Sequence, residues 1–246
     1  MLYKNVIPAF SLVCKNCPSP MPREKSIIVR AMHCSVCQKM STFTPVMYDS
    51  ICKLPGSGPE MKLTAPAGKV LLHACCAPCC SAILEVMVLN DIRPLVFFSN
   101  SNITPREEYE LRKTELKRYC ELLGVEYVDD DYNHELWLAE VAQGREDAPE
   151  RGSRCLECFR FRLQRAADYA AANGYSVLTT SLASSRWKSI EQVDAAGRDA
   201  CARSSIVWWN MNWRKGGLQP RRNELIKELG FYNQTFCGCE FSKPKI

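Results

Sequence analysis

Short apolar runs alternate with amphipathic stretches from residue 69 onward, and this alternation predicts an α/β protein. The apolar runs have the length of buried strands and cover residues 70–74, 95–98, 125–128 and 176–180. Helical patterns lie between them, at residues 81–89, 104–124 and 156–173. Strands that alternate with helices of this length predict a parallel sheet with right-handed crossovers.

The second predicted helix carries the clearest boundary signals. Thr104 is placed as its N-cap, Pro105 falls in the first turn, and Glu107 follows three residues after the cap. Gly124 is expected to end it.

Residues 1–60 have a different pattern, with many prolines, few charges and little helical periodicity. The stretch 54–59 resembles a linker. The pattern therefore predicts an N-terminal extension of residues 1–60 and an α/β domain of residues 61–246. Two C-x-x-C pairs in the extension have the spacing of a four-thiolate zinc ribbon, with Cys14, Cys17, Cys34 and Cys37 as ligands. The alternative is a poorly ordered extension whose cysteines bind nothing.

A hydrophobic content of 46% indicates a protein with a substantial core, and fifteen cysteines are a high count for a chain of this length. Secretory-signal and membrane-span patterns are lacking, so the sequence predicts a cytoplasmic protein that does not cross a membrane. In a reducing compartment a dense cysteine cluster indicates a metal or redox site more often than structural disulfides.

Four of these cysteines, Cys75, Cys76, Cys79 and Cys80, follow the first predicted strand. They therefore lie at the carboxyl edge of the sheet, where ligands bind in open α/β folds. Adjacent cysteines such as Cys75 and Cys76 are poorly placed to form a relaxed disulfide with each other, but both can bind a third body.

Cys155 and Cys158 are three residues apart at the start of a predicted helix, so they share one face. The positive end of the helix dipole is expected to favour their thiolates. Together with Cys75 and Cys76 they would supply the four thiolates of an iron–sulfur cluster, although a zinc ion takes the same ligands. Buried, unreactive thiols are the remaining alternative.

Cys237 and Cys239 are separated by a single glycine. A disulfide between them would close a small strained ring, and strain makes such a bond labile and reversible. The pair is therefore suited to transfer two electrons. The alternative is two further metal ligands.

The net charge of +5 is modest, but basic residues are concentrated near both ends of the chain. Arginine and tryptophan side chains bind RNA through guanidinium–phosphate contacts and base stacking, respectively. The candidates for nucleic-acid contact are Arg154, Arg160, Arg162, Trp213, Arg214, Lys215, Arg221 and Arg222. A solvated basic surface with tryptophans in the core is the alternative.

Three segments of the chain together resemble a known family, the epoxyqueuosine reductases of the QueH type. They are the segment from His73 to Cys79, the segment from Arg154 to Leu163 and the segment from Tyr232 to Ser242. The family fold is a Rossmann-like parallel sheet of the adenine-nucleotide alpha-hydrolase type, with helices on both faces. The resemblance implies reductive removal of the epoxide oxygen from epoxyqueuosine at the wobble position of tRNA, the last step of queuosine formation.

The resemblance also implies roles for individual residues. Cys75, Cys76, Cys155 and Cys158 would bind a [4Fe-4S] cluster, and Cys79 an additional iron. Cys237 and Cys239 would form the redox-active disulfide. Residue chemistry, and not the resemblance, offers two acids for the leaving oxygen: His73, whose pKa is near neutrality if unperturbed, or Asp131. The expected partners are the tRNA anticodon loop and an external electron donor.

Two other function classes remain open from the sequence. An ATP-dependent tRNA-thiolating enzyme shares this fold, but it needs a glycine-rich phosphate loop after the first strand, and the turn at residues 74–80 contains no glycine. A zinc-binding RNA-binding module without catalysis would be colourless, whereas an iron–sulfur protein is brown.

Overall fold

The structure is a computed structural model, and it describes residues 61–242. The proposed zinc ribbon, with Cys14, Cys17, Cys34 and Cys37, and the linker that follows it lie outside the described residues.

The described chain forms a five-stranded, all-parallel sheet surrounded by helices, which confirms the predicted α/β class. The strand order is β3-β2-β1-β4-β5. The strands are β1 (Val70–Ala74), β2 (Leu95–Phe98), β3 (Tyr127–Asp129), β4 (Val177–Thr180) and β5 (Val207–Trp208). The sequence pattern missed β5, because two residues are too few to show a period.

Six α-helices occur in this part of the chain: α1 (Ala77–Leu89), α2 (Arg106–Leu123), α3 (His134–Trp137), α4 (Ser153–Ala172), α5 (Ile190–Ser204) and α6 (Leu218–Leu229). Helix α2 has Pro105 as its N-cap, so the predicted Thr104 cap is wrong by one residue. Its end at Gly124 is confirmed, because this glycine adopts a left-handed φ of 62°. Helix α3 continues into a π-turn, Leu138–Ala142.

Strand β1 lies at the centre of the sheet between β2 and β4, and all of its residues are buried. Helix α1, which follows it, is buried along nearly its whole length. It is joined to α6 by a buried ion pair, in which Arg221 donates two hydrogen bonds of 2.8 Å to the carboxylate of Glu85. The pKa of Arg221 is raised by this contact.

All strands run in one direction, so the turns after their carboxyl ends meet at a single edge of the sheet. The turn after β1 is fastened to its neighbours on both sides. The amide of Cys75 donates to Ser181 Oγ at 3.1 Å, and Asn100 Nδ2 donates to the carbonyl oxygen of Ala74 at 2.9 Å. Hydrogen bonds therefore join this turn to the segments that follow β2 and β4.

Among residues 61–242, no helix is both long enough and apolar enough to cross a membrane.

Candidate functional site

Three buried thiols form a compact group at the carboxyl end of β1. The Sγ atoms of Cys75, Cys76 and Cys79 all lie within 4.8 Å of one another, and those of Cys75 and Cys76 are 3.7 Å apart. Cys75 and Cys76 lie in the turn after β1, and Cys79 lies in the first turn of α1. A tetrahedral ion bound at about 2.3 Å from each sulfur would separate its ligands by about 3.8 Å, so the spacing suits a metal.

The electrostatics of this group favour one stable thiolate. Hydrogen bonds from Cys76 and Cys79 lower the pKa of Cys75 well below its ordinary value, and Lys188 and Arg162 lower it further. Burial raises the pKa of Cys76, and the hydrogen bond with Cys75 raises that of Cys79 to about 11. The result is a soft, anionic donor set in a desolvated pocket, which fits a metal cofactor.

Polar side chains from distant segments hold the three thiols in place. Ser181 Oγ donates to the sulfur of Cys75 at 3.4 Å, and Ser184 Oγ donates to the carbonyl oxygen of Cys79 at 3.0 Å. Gln234 Nε2 donates to the sulfur of Cys76 at 2.7 Å. No pattern in the sequence assigns a role to Gln234, yet this contact brings the C-terminal segment against the three thiols.

Cys155 and Cys158 lie at the start of α4, as predicted, but among the described residues they are not members of the compact thiol group. The expected benefit of the helix dipole to their thiolates stays a prediction. Burial is the largest effect on the pKa of both thiols and raises it, and the neighbouring Cys237 raises it further. Cys239 packs against the buried cluster that contains Cys158, so the C-terminal cysteine segment lies against this part of α4.

Cys237 and Cys239 are free thiols at a tightly held turn. Gly238, between them, has a φ of +126°, which side chains rarely adopt, and a Cβ there would lie 2.9 Å from Ile103 Cγ1. Its carbonyl oxygen accepts a 2.9 Å hydrogen bond from the amide of Thr104. Burial and the neighbouring Cys237 raise the pKa of Cys239 to about 11.

His73 does not match the expectation of a histidine that titrates near neutrality. The ring is fully buried, with Nδ1 at 2.8 Å from Thr180 Oγ1 and Nε2 at 3.2 Å from the carbonyl oxygen of Ser99. Burial, followed by the charge of Arg162, lowers its pKa to about 3. Both nitrogens are engaged by protein atoms, so His73 ties β1 to its neighbours and is not placed to deliver a proton to a ligand.

Asp131 is exposed at the carboxyl edge beyond β3. The neighbouring Asp130, in contrast, is hydrogen-bonded to Ser99 and Arg165. It accepts a 2.6 Å hydrogen bond from Ser99 Oγ and bonds of 2.5 and 2.7 Å from Arg165.

Lys188 interacts electrostatically with cysteines of the site, although no motif in the sequence marks it. Burial alone would lower its pKa, but the interaction with Cys237, Cys75 and Cys79 outweighs burial and raises it. Only the folded chain reveals this interaction, because these cysteines come from distant segments.

Four residues are removed from the predicted nucleic-acid set because they are buried: Arg154, Arg162, Trp213 and Arg221. Arg154 donates to the carbonyl oxygens of Arg145 and Glu146, and Arg162 donates to the carbonyl oxygen of Ser99 and to the side chain of Asn100.

The other four members of that set have some accessible surface. Arg160 pairs with Glu157 and Asp199, and Arg214 donates to main-chain carbonyl oxygens. Lys215 is exposed and Arg222 is half-buried. The predicted C-terminal RNA surface is therefore much reduced.

Comparison with known proteins gives a consistent result. The family profile described as epoxyqueuosine reductase QueH matches residues 70–245. Proteins named epoxyqueuosine reductase QueH include one from Histophilus somni, 42% identical over 185 residues that cover 75% of this chain and 76% of the relative. One from Acinetobacter baylyi is 43% identical over 189 residues, which cover 76% of this chain and 86% of the relative. One from Thermotoga maritima is 32% identical over 178 residues, which cover 71% of this chain and 90% of the relative.

Proposed function

The chain belongs to the epoxyqueuosine reductase QueH family and is an oxidoreductase, and on this premise we propose that it reduces epoxyqueuosine to queuosine at the wobble position of tRNA. The observation that carries the proposal is the buried group of Cys75, Cys76 and Cys79 at the carboxyl edge of the sheet. A desolvated, anionic set of soft ligands is suited to redox-active iron.

The proposed cofactor is a [4Fe-4S] cluster on Cys75, Cys76, Cys155 and Cys158, with Cys79 available to an additional iron. Each thiolate of such a cluster binds a different iron, so Cys155 and Cys158 need not belong to the compact group in order to be ligands. When bound, the cluster supplies single electrons and a Lewis acid for the epoxide oxygen.

Cys237 and Cys239 are proposed as the redox-active pair. Conversion of an epoxide into an alkene and water consumes two electrons and two protons, and oxidation of two thiols to a disulfide releases the same number of each. An external donor then reduces the disulfide for the next turnover. Cys239 packs against the buried cluster that contains Cys158, which supports a location beside the proposed cluster ligands.

The remaining polar residues have supporting roles in this proposal. The cations of Lys188 and Arg162 balance the negative charge of the thiolates, because both lower the pKa of Cys75. His73 positions the turn after β1. Asp131, exposed at the same edge, is retained as the proposed acid for the leaving oxygen.

The test is anaerobic purification, metal analysis and incubation with a reductant and tRNA that contains epoxyqueuosine, followed by nucleoside analysis. A brown protein with about four irons that forms queuosine supports the proposal. A colourless protein that holds only zinc and forms no queuosine contradicts it and favours a zinc-containing RNA-binding module.

A further inference from the structure

Trp187 is the most exposed large apolar side chain in the described part of the protein, with 79% of its surface accessible. The other four tryptophans of the chain are different. Trp137, Trp209 and Trp213 are buried, and Trp208 is half-buried with its indole N–H donated to Asp194 at 2.7 Å. Tryptophan is enriched at binding interfaces, so an indole exposed to this extent is a candidate contact residue.

The main chain around Trp187 is fixed by two arginines. Arg151 donates from Nε to the carbonyl oxygen of Trp187 and from Nη2 to that of Arg186, both at 3.0 Å. Arg214 Nη2 donates to the carbonyl oxygens of Ser185 and Lys188, at 2.6 and 2.7 Å. The indole is therefore displayed on a braced segment, and ordering it on binding costs little entropy.

The same segment borders the proposed cofactor site from two directions. It follows the 3-10 helix Ser181–Ser184, whose serines hydrogen-bond Cys75 and Cys79. The amide of Arg151 donates to the sulfur of Cys155 at 3.3 Å, while the side chain of Arg151 holds Trp187. Trp187 therefore stands at the rim of the site, one residue from Lys188.

The surroundings of Trp187 are predominantly cationic. Arg151, Arg186, Lys188 and Arg214 all lie on or against this segment, and the nearest acid in sequence, Glu191, accepts a hydrogen bond from Ser189. An exposed ring among guanidinium groups is the arrangement that binds single-stranded RNA, because the ring stacks on a base while the cations meet phosphates.

We propose that Trp187 stacks on an anticodon-loop base next to the one that is reduced, and that Arg186 contacts the adjoining phosphate. This inference rests on the proposed function. A wobble base has to leave its stack to reach thiols that are buried, and an aromatic ring at the rim replaces the stacking that its neighbour loses.

The test compares the iron-loaded wild type with Trp187→Ala, Trp187→Phe and Arg186→Gln. Leu111→Ala, which changes another exposed apolar residue, is the matched control. The probes are a fluorescein-labelled anticodon stem–loop RNA and a blunt RNA duplex of the same composition. Kd is measured anaerobically over a range of salt concentrations, and iron content and queuosine formation are measured for each variant.

Trp187→Ala is expected to raise the Kd for the stem–loop about 5- to 150-fold and to leave the Kd for the duplex unchanged. Trp187→Phe should retain most of the affinity, because phenylalanine still stacks. Arg186→Gln should reduce the slope of log Kd against log salt by about 0.7, the value for one contact to a single strand.

An unchanged Kd for Trp187→Ala, with the wild type binding RNA and forming queuosine, overturns this inference and leaves the proposed function intact. If Trp187→Ala is reduced more slowly by a protein electron donor while its RNA affinity is unchanged, this inference is also overturned, and the surface around Trp187 is assigned to donor binding. A wild type that neither binds RNA nor forms queuosine overturns both.

Discussion

Arg112 on α2 holds the main chain of Cys237, with Nη1 donating to the carbonyl oxygen at 2.9 Å. A second bond runs from Nη2 to the carbonyl oxygen of Phe236 at 3.3 Å, and the guanidinium is also paired with Glu108. The side chain is almost fully buried. The position of the C-terminal cysteine turn is therefore set by the helix that follows β2 in the chain.

The first prediction concerns this contact. Arg112→Met should lower kcat about 10- to 100-fold and keep the iron content, because a small displacement of a reacting group has a large effect on rate. Steady-state kinetics and iron analysis measure the two quantities. Arg106→Met is the control on the same helix: it removes an exposed pair with Glu110 and contacts with the rings of Tyr109 and Tyr132, none of which touches the cysteine turn, and it should have little effect on kcat. Equal activity of the two variants would refute the role of Arg112.

The second prediction concerns Gly238. Gly238→Ala should reduce the free energy of unfolding by about 1–3 kcal/mol and slow repeated turnover, because the new methyl group meets Ile103 in a strained backbone conformation. Urea unfolding and multiple-turnover assays measure these effects.

Gly124→Ala is the control for backbone strain alone. Gly124 also has a positive φ, but a Cβ there meets nothing within 4 Å. It should cost about 1 kcal/mol and keep full activity. A Gly238→Ala variant that matches this control in rate would mean that the turn is not constrained by its packing.

The third prediction separates cluster ligands from ordinary thiols. Cys155→Ala should lose most of its iron and all turnover, because no other group replaces a missing thiolate at that corner. Cys201→Ala should keep both, since Cys201 lies in the apolar core, where burial raises its pKa to about 12. Iron analysis and visible absorbance provide the measurement. Full iron and activity in Cys155→Ala would disprove the ligand assignment.

The fourth prediction addresses the buried pair between α1 and α6. Glu85→Ala leaves Arg221 buried without its main partner, and we expect a loss of about 3–5 kcal/mol in the free energy of unfolding. Glu224→Ala removes only an exposed partner of Arg221 and should cost less than about 1 kcal/mol. Replacing both Glu85 and Arg221 by Met should recover much of the loss. Urea unfolding that shows equal costs for Glu85→Ala and Glu224→Ala would contradict this account.

The sequence predicted the sheet and the position of the first thiols well, because both depend on local patterns. Strand β1 is a continuous apolar run, and the cysteines follow it directly in the chain. The raised pKa values of Cys155 and Cys158 could not be predicted, because burial, their largest cause, depends on segments far away in sequence.

The arginines show a similar limit. Arg162 and Arg160 belong to the same basic stretch of α4, yet Arg162 is buried against Ser99 and Asn100 while Arg160 remains at the surface. Helical periodicity does not reveal which arginine will find buried acceptors in the turn after β2. Trp187 was missed for a related reason, since the position of an isolated aromatic side chain depends on how its loop is held.

The serines and the glutamine that fasten the thiol turn have a consequence for biogenesis. This turn is held by hydrogen bonds with Ser181, Ser184 and Gln234. Its cysteines also belong to the buried apolar core. Zinc fingers, by contrast, fold only when their metal binds. We therefore expect the polypeptide to fold before the proposed iron–sulfur cluster is inserted, so that iron supply would limit the active fraction of the protein and not its abundance.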